Sequence, residues 1–197
     1  SQLSENLSHD ISLVGILSFV ALYIPVWFAW IGATFFATRF GTDDLAHRIL
    51  TLLQMMGAAA MAVNVSHGLG ETSTGFALSY AAIRFLLVIE YVRIGRRIPS
   101  TKPLTERYSV GFASSAALWT VSAFVPPPLR FILWGIGLTI DFITPFLAGQ
   151  LAIKFAPHIS HLPERMGLFV IIVLGESILG VVIGLAGHEW DIYSSLS

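Results

Sequence analysis

The sequence predicts an all-α, polytopic transmembrane helix bundle, and three observations carry that prediction. Hydrophobic residues make up 55% of the chain and charged residues 12%, where soluble domains carry about 25% charged. Mean hydropathy is +0.76. The charges collect between apolar runs long enough to cross a hydrocarbon core of roughly 30 Å as helices. A net charge of -1 gives no reason to expect nucleic acid as a partner. With no cysteine, disulfides, thiolate metal sites and cysteine catalysis are excluded. The chain begins without Met and ends in Tyr193, Ser194, Ser195, Leu196 and Ser197, and we expect it to be part of a longer protein.

Six spans are expected, forming one transmembrane domain over residues 1–197. The first, about 11–37, holds Pro25 near its centre, where the missing hydrogen bond should kink the helix. Thr42 is the expected N-cap of the next helix, with Asp43 and Asp44 in its positive first turn and Asp44 four residues before Arg48. The second span, about 49–66, carries Gly57, Ala58, Ala59, Ala60 and Ala62, which allow close helix approach. Its far end is polar, and His67 there would share a side of the membrane with His9 and His188; wet loop histidines are the expectation.

The third span, about 76–93, contains Arg84, roughly 12 Å in from Phe76 and too deep for an easy return to the surface. Tyr80, Arg84, Leu87, Val88 and Tyr91 share a stripe at 3.6-residue spacing. Glu90 lies about 120° around the helix and has Arg93 and Arg97 at ion-pair spacing, so Arg84 needs a partner on another helix. The fourth span, about 108–125, is uncharged but rich in serine and threonine, and Pro126, Pro127 and Pro128 end it. The fifth, about 129–151, holds Asp141 roughly 18 Å from Leu129, on a small polar face with Gly137, Thr144, Pro145 and Ala148. The sixth, about 166–186, has Glu176 as its only ionisable group, roughly 15 Å from Met166 and near the midplane. Gly180, Gly184 and Gly187 follow on Glu176's side, so it is expected to point into the bundle beside Asp141.

Nine of the eleven Lys and Arg residues fall on one side of this arrangement: Arg39, Arg48, Arg93, Arg96, Arg97, Lys102, Arg107, Lys154 and Arg165. By the positive-inside rule loops 38–48, 94–107 and 152–165 are cytoplasmic, and both ends of the chain lie outside. His158, His161 and Glu164 have helix ligand spacing but no fourth ligand, and no metal or other cofactor is expected.

Residues 161–187 also carry a family resemblance. His161, Leu162, Glu164, Arg165, Gly167, Leu168, Phe169, Val170, Ile171, Ile172, Leu174, Gly175, Glu176, Ser177 and Ile178 resemble the signature of the low temperature requirement A (LtrA) family of bacterial membrane proteins. Pro163, Met166 and Val173 depart from it conservatively. Thr42, Asp43, Asp44 and Arg48 resemble the family's acidic segment before a membrane helix. The resemblance implies an inner-membrane location and a longer chain, with residues 1–10 matching the polar end of a further helix. The family's name refers to growth in the cold, which is a phenotype and leaves activity and substrate open.

The chemistry concentrates in Arg84, Asp141 and Glu176. If they converge, one cation faces two carboxylates, and the second carboxyl favours its neutral form and can take and release a proton. Membrane-buried ionisable groups mark solute or ion pathways by default. The expected function is a proton-linked secondary transporter or ion-conducting protein. Asp43, Asp44, Arg48, Tyr80, Ser177 and Gly180 would support the site. The alternative is a non-transporting scaffold or cold- and stress-adaptation protein whose buried charges only hold helices together. No lysine lies in a span to form a retinal Schiff base, and no Walker loop would power an ATP-driven pump; enzymatic activity is not expected, since there is no HExxH motif, Asp141 is the one intramembrane aspartate, and Ser177 has no membrane base. A channel stays open, because Asp and Glu can line a cation path. The expected partners are the lipid bilayer and a small solute or ion, with a homo-oligomer left open.

Overall fold

The computed structural model describes residues 13–41, 44–155 and 162–186, and every described element is helical. Helix α1 is Leu13–Phe40, α2 Leu45–Asn64, α3 Ser73–Arg97, α4 Lys102–Ser122 and α5 Leu129–Ala148. A five-residue α6, Gln150–Lys154, and α7, Leu162–Ala186, follow. Helices α1, α2, α3 and α5 are each long and apolar enough to cross a membrane. Their exteriors are greasy: α2 exposes Leu45, Ile49, Leu52, Leu53, Met55, Met56 and Val63, while its buried side chains include Gln54. Polar groups inside and apolar groups outside are what lipid, rather than water, selects as a surrounding solvent. The molecule is an all-α membrane helix bundle.

Helix α3 is its axis, packing on α1, α2 and α4, with α5 laid along α4 and reaching α3 through Trp134 and Asp141. It is buried around much of its circumference, which explains why its apolar and small residues do not collect into one stripe. Two apolar clusters stack along it. One joins Phe76, Ala77, Tyr80 and Ile83 to Leu22, Met61, Trp119 and Trp134; the other joins Leu87, Tyr91 and Ile94 to Phe36, Leu104, Tyr108 and Phe112. Arg84 falls between them in the sequence of α3.

The helix limits correct several expectations. Helix α1 carries Pro25 within its length, and the expected kink is compatible with a continuous helix. Asp44 caps α2: its side chain accepts from the backbone N–H of His47. The fifth span divides at Gly149, whose φ of +50° leaves the right-handed region and separates α5 from α6. Helix α4 begins six residues earlier than expected, at Lys102, where the short 3-10 turn Pro99–Thr101 joins it to α3. Thr42, Asp43, His158 and His161 lie outside the described residues.

Close approach of α4 and α5 depends on Gly137. A Cβ built there would lie 2.6 Å from Nε1 and 2.7 Å from Cδ1 of Trp119, whose ring is fully buried and stacked on Trp134. Gly135, two residues earlier, has open space. Gly137→Ala is therefore expected to cost about 1–3 kcal/mol through overpacking, whereas Gly135→Ala should be neutral or stabilising by up to about 1 kcal/mol. Thermal unfolding of both variants in detergent checks the difference; equal midpoints would contradict the packing.

Candidate intramembrane polar site

Arg84 sits midway along α3, roughly 17 Å from Ser73 and 20 Å from Arg97 along the axis, and is 1% exposed. Its partner is Asp141 of α5, 2% exposed: Nε donates to Oδ2 at 3.0 Å. Tyr80, one turn before Arg84, completes the arrangement. Its hydroxyl donates to Asp141 Oδ2 at 2.5 Å and accepts from Arg84 Nε at 2.9 Å and Nη2 at 2.7 Å. Ser115 of α4 donates to the same Oδ2 at 2.9 Å. The guanidinium also lies 5.0 Å from the Tyr80 ring centre and 5.2 Å from that of Phe112. One carboxylate oxygen thus collects three donors from α3 and α4.

The satisfaction is uneven. Asp141 Oδ1 and Arg84 Nη1 are buried without a hydrogen-bond partner. Gly32 of α1 makes room for Nη1, since a Cβ there would stand 2.6 Å from it. Both residues border a cavity of about 300 Å³ walled by aromatic side chains of α1, α3, α4 and α5, including Trp27, Phe28, Tyr91, Tyr108, Phe112 and Phe142. Arg39, in the last turn of α1, borders it too; its Nε and Nη1 are buried and unpartnered, and its guanidinium lies 5.2 Å from the Tyr108 ring centre. Arg39 ends an apolar run, so the sequence alone placed it in a loop. Its spacing of three residues from Phe36, a core residue, is the signal that could have turned it inward.

Two of the three central site residues therefore meet, and the third stands elsewhere. Glu176 is exposed on α7, whereas Arg84 and Asp141 are buried against each other. The physical reason lies in α5: Gly137, Asp141 and Thr144, the small polar face expected to meet Glu176, are packed against Trp119, Ser115 and Gly111 of α4. Helix α7 instead touches α1, where Phe169 stacks on Trp30 with ring centres 4.2 Å apart. Ser177 and Gly180 fall outside the described side chains.

A second polar lattice closes one end of the bundle. Glu90, 1% exposed, does not pair with Arg93 and Arg97 as expected; its Oε1 lies 2.7 Å from His47 Nδ1 and its Oε2 accepts from Gln54 Nε2 at 2.9 Å. Arg93 and Arg97 both turn to Asp44, with Arg93 Nη1 at 2.8 and 2.6 Å from its two oxygens. Interhelical pairing wins because α2 and α3 run antiparallel, which sets Asp44 against Arg93 and Arg97 and sets His47 and Gln54 against Glu90. Among the described residues no group of three potential ligands could hold a metal ion.

Arg84→Met would strand Asp141 and is expected to cost about 3–5 kcal/mol, while Arg84→Met with Asp141→Leu should recover most of it. Melting of the three proteins in detergent checks this, and a double variant no better than the single one would contradict it. At the end lattice, hydrogen bonds from Arg93 and then from the His47 backbone hold the Asp44 carboxyl well below its ordinary range. A lowered folded value contributes stability that is complete above the unfolded value of about 4 and is lost as the pH falls through the folded one. Acidification from about pH 5 to 3 should therefore lower the melting temperature of the wild type more steeply than that of Asp44→Asn. Parallel acid profiles would remove the inferred role of this carboxylate.

With this geometry in view, comparison with known proteins gives a consistent result. The family described as Bacterial low temperature requirement A protein (LtrA) matches residues 1–196. A protein of Rhizobium meliloti (strain 1021), described as uncharacterised, is 30% identical over 191 residues, covering 91% of this chain and 46% of that protein. The chain thus spans less than half the length of that relative. No solved structure matches. The apolar helices make this a multi-pass integral membrane protein, and the match along its length establishes that the chain belongs to the bacterial low temperature requirement A (LtrA) family.

Proposed function

We propose that this chain forms part of a secondary transporter or ion-conducting protein of the bacterial inner membrane, with Asp141 as its proton-linked carboxylate and Arg84 as its counter-ion. The single observation that supports this is the buried pair at mid-helix depth, with one carboxylate oxygen and one guanidinium nitrogen left unpaired beside a cavity. A pair retained only for packing gains from having every donor and acceptor satisfied. Here the unsatisfied atoms give an entering ion, proton or solute something to bind. Eight of the eleven basic residues, Arg39, Arg48, Arg93, Arg96, Arg97, Lys102, Arg107 and Lys154, follow the helix ends to one side, which the positive-inside rule makes cytoplasmic. Glu176 would act on a separate stretch of the path, on α7. No enzymatic chemistry is included in this reading.

A structural reading draws on a specific observation as well. Asp141 Oδ2 gathers donors from Tyr80, Arg84 and Ser115, so the pair joins three helices whether or not anything moves past it.

Flux separates the two readings. The full-length protein in liposomes carrying a pH-sensitive dye should pass protons under an imposed gradient, and Asp141→Asn should abolish the flux while retaining a cooperative melt. Glu176→Gln should reduce it. Unchanged proton flux in a folded Asp141→Asn variant would sink the assignment of Asp141 and leave the structural role.

A further inference from the structure

We infer that the aromatic cavity is a binding site for an amphipathic organic monocarboxylate, its head held by Arg39 and Arg84 and its apolar body laid against the surrounding rings. This rests on the transport reading for its purpose, since it names the class of solute that would use the site.

The sign of the ligand follows from the charges on the wall. Three charged side chains border the cavity, Arg39, Arg84 and Asp141. Asp141 neutralises Arg84 through their direct bond. Arg39 has no carboxylate partner among the described residues, and its Nε and Nη1 are buried without any acceptor. Among the described residues the wall carries two guanidiniums and one carboxylate, which favours a negative charge on the ligand over a positive one. The head is specified by donor geometry. Arg39 offers Nε and Nη1, two separate N–H donors on different edges of its guanidinium, and Arg84 adds Nη1, so an anionic head can take single charge-assisted hydrogen bonds from both arginines. The two guanidiniums stand over neighbouring rings, Tyr108 and Phe112, whose centres are 5.6 Å apart. Asp141 Oδ1 repels an anion at its own edge, so the carboxylate sits towards Arg39, and Oδ1 is left to accept a hydroxyl or carry a proton.

Size and lining specify the rest. A volume of about 300 Å³ is at the small end of ligand sites. Around the guanidiniums the wall is aromatic, from Trp27, Phe28, Tyr91, Phe142 and Phe146, which suits an aryl or alkyl body and offers little to a sugar or an inorganic anion. Such an acid could enter from water as an aryl acid or from the bilayer as a fatty acid, and the same head and wall would hold either.

The test uses the full-length protein in detergent, with 3-phenylpropionate, octadecenoate, the uncharged 3-phenylpropanol and inorganic phosphate as probes and melting temperature and titrated affinity as readouts. The carboxylates should bind and raise the midpoint, and the alcohol and phosphate should not. Arg39→Gln should weaken carboxylate binding about tenfold or more, with Arg39→Lys in between, because a lysine keeps the charge and loses the fixed planar donors. Among the described residues Arg39 has no carboxylate partner that its replacement would strand. Preference for 3-phenylpropionate would assign the solute to the aqueous phase, and preference for octadecenoate to the bilayer; either supports the site. Equal stabilisation by the alcohol, unchanged affinity in Arg39→Gln, or no binding of either carboxylate would overturn it. Carboxylate binding without proton flux in liposomes would retain the site and remove the transport reading; flux without carboxylate binding would do the reverse.

Discussion

The bond between Arg84 and Asp141 is the constraint around which the bundle is arranged. Two ions taken out of water cost several kcal/mol each, and that cost is tolerable only where the pair is close and supported by further hydrogen bonds. Tyr80 and Ser115 supply that support, so the three bonds to Asp141 hold α3, α4 and α5 in one rotational and axial setting. A one-residue slide of α5 moves Asp141 by about 1.5 Å and turns it by about 100°, enough to carry it away from all three donors. The apolar layers above and below tolerate shifts that this belt does not.

Around that belt, polar groups hold the interior together while apolar groups face outward. The end lattice of Asp44, His47, Gln54, Glu90, Arg93 and Arg97 secures α2 to α3 as the central pair secures α5. Arg130 does similar work at the opposite end, donating to Ser73 Oγ and to the carbonyls that close α4. Aromatic stacking fills the intervals, with Tyr91 on Tyr108 and Trp119 on Trp134. Because lipid competes weakly for hydrogen bonds and offers no hydrophobic gain on helix association, such contacts carry much of the specificity of the fold.

The fold class was legible in the sequence because length, hydropathy and charge placement are properties of single helices. The need of Arg84 for a partner on another helix was legible for the same reason: its depth follows from counting residues along α3. What failed was pairing between helices. Glu90 was matched to Arg93 and Arg97 by spacing on its own helix, whereas the antiparallel register with α2 gives it His47 and Gln54. The small polar face of α5 was expected to meet Glu176, and a face rich in glycine and serine admits any close neighbour; α4 packs on it. The break at Gly149 was hidden by an apolar run that continues past it. Ser115 looked like one more serine in a helix of several, and nothing in α4 alone marks it out as the donor to Asp141.

The separation of the central pair along the chain has a consequence for how the protein is made. Arg84 precedes Asp141 by 57 residues, so at about 5–20 residues per second roughly 3 to 11 s pass between their syntheses. During that interval α3 must persist in or beside the membrane without its carboxylate. Tyr80 is already present, one turn away on the same helix, with its hydroxyl bonded to the guanidinium and its ring beneath it. That local bond needs no other helix, which makes Tyr80 a provisional partner that shields the charge until α5 arrives. Biogenesis, and not only the finished fold, therefore gives this position a use for tyrosine.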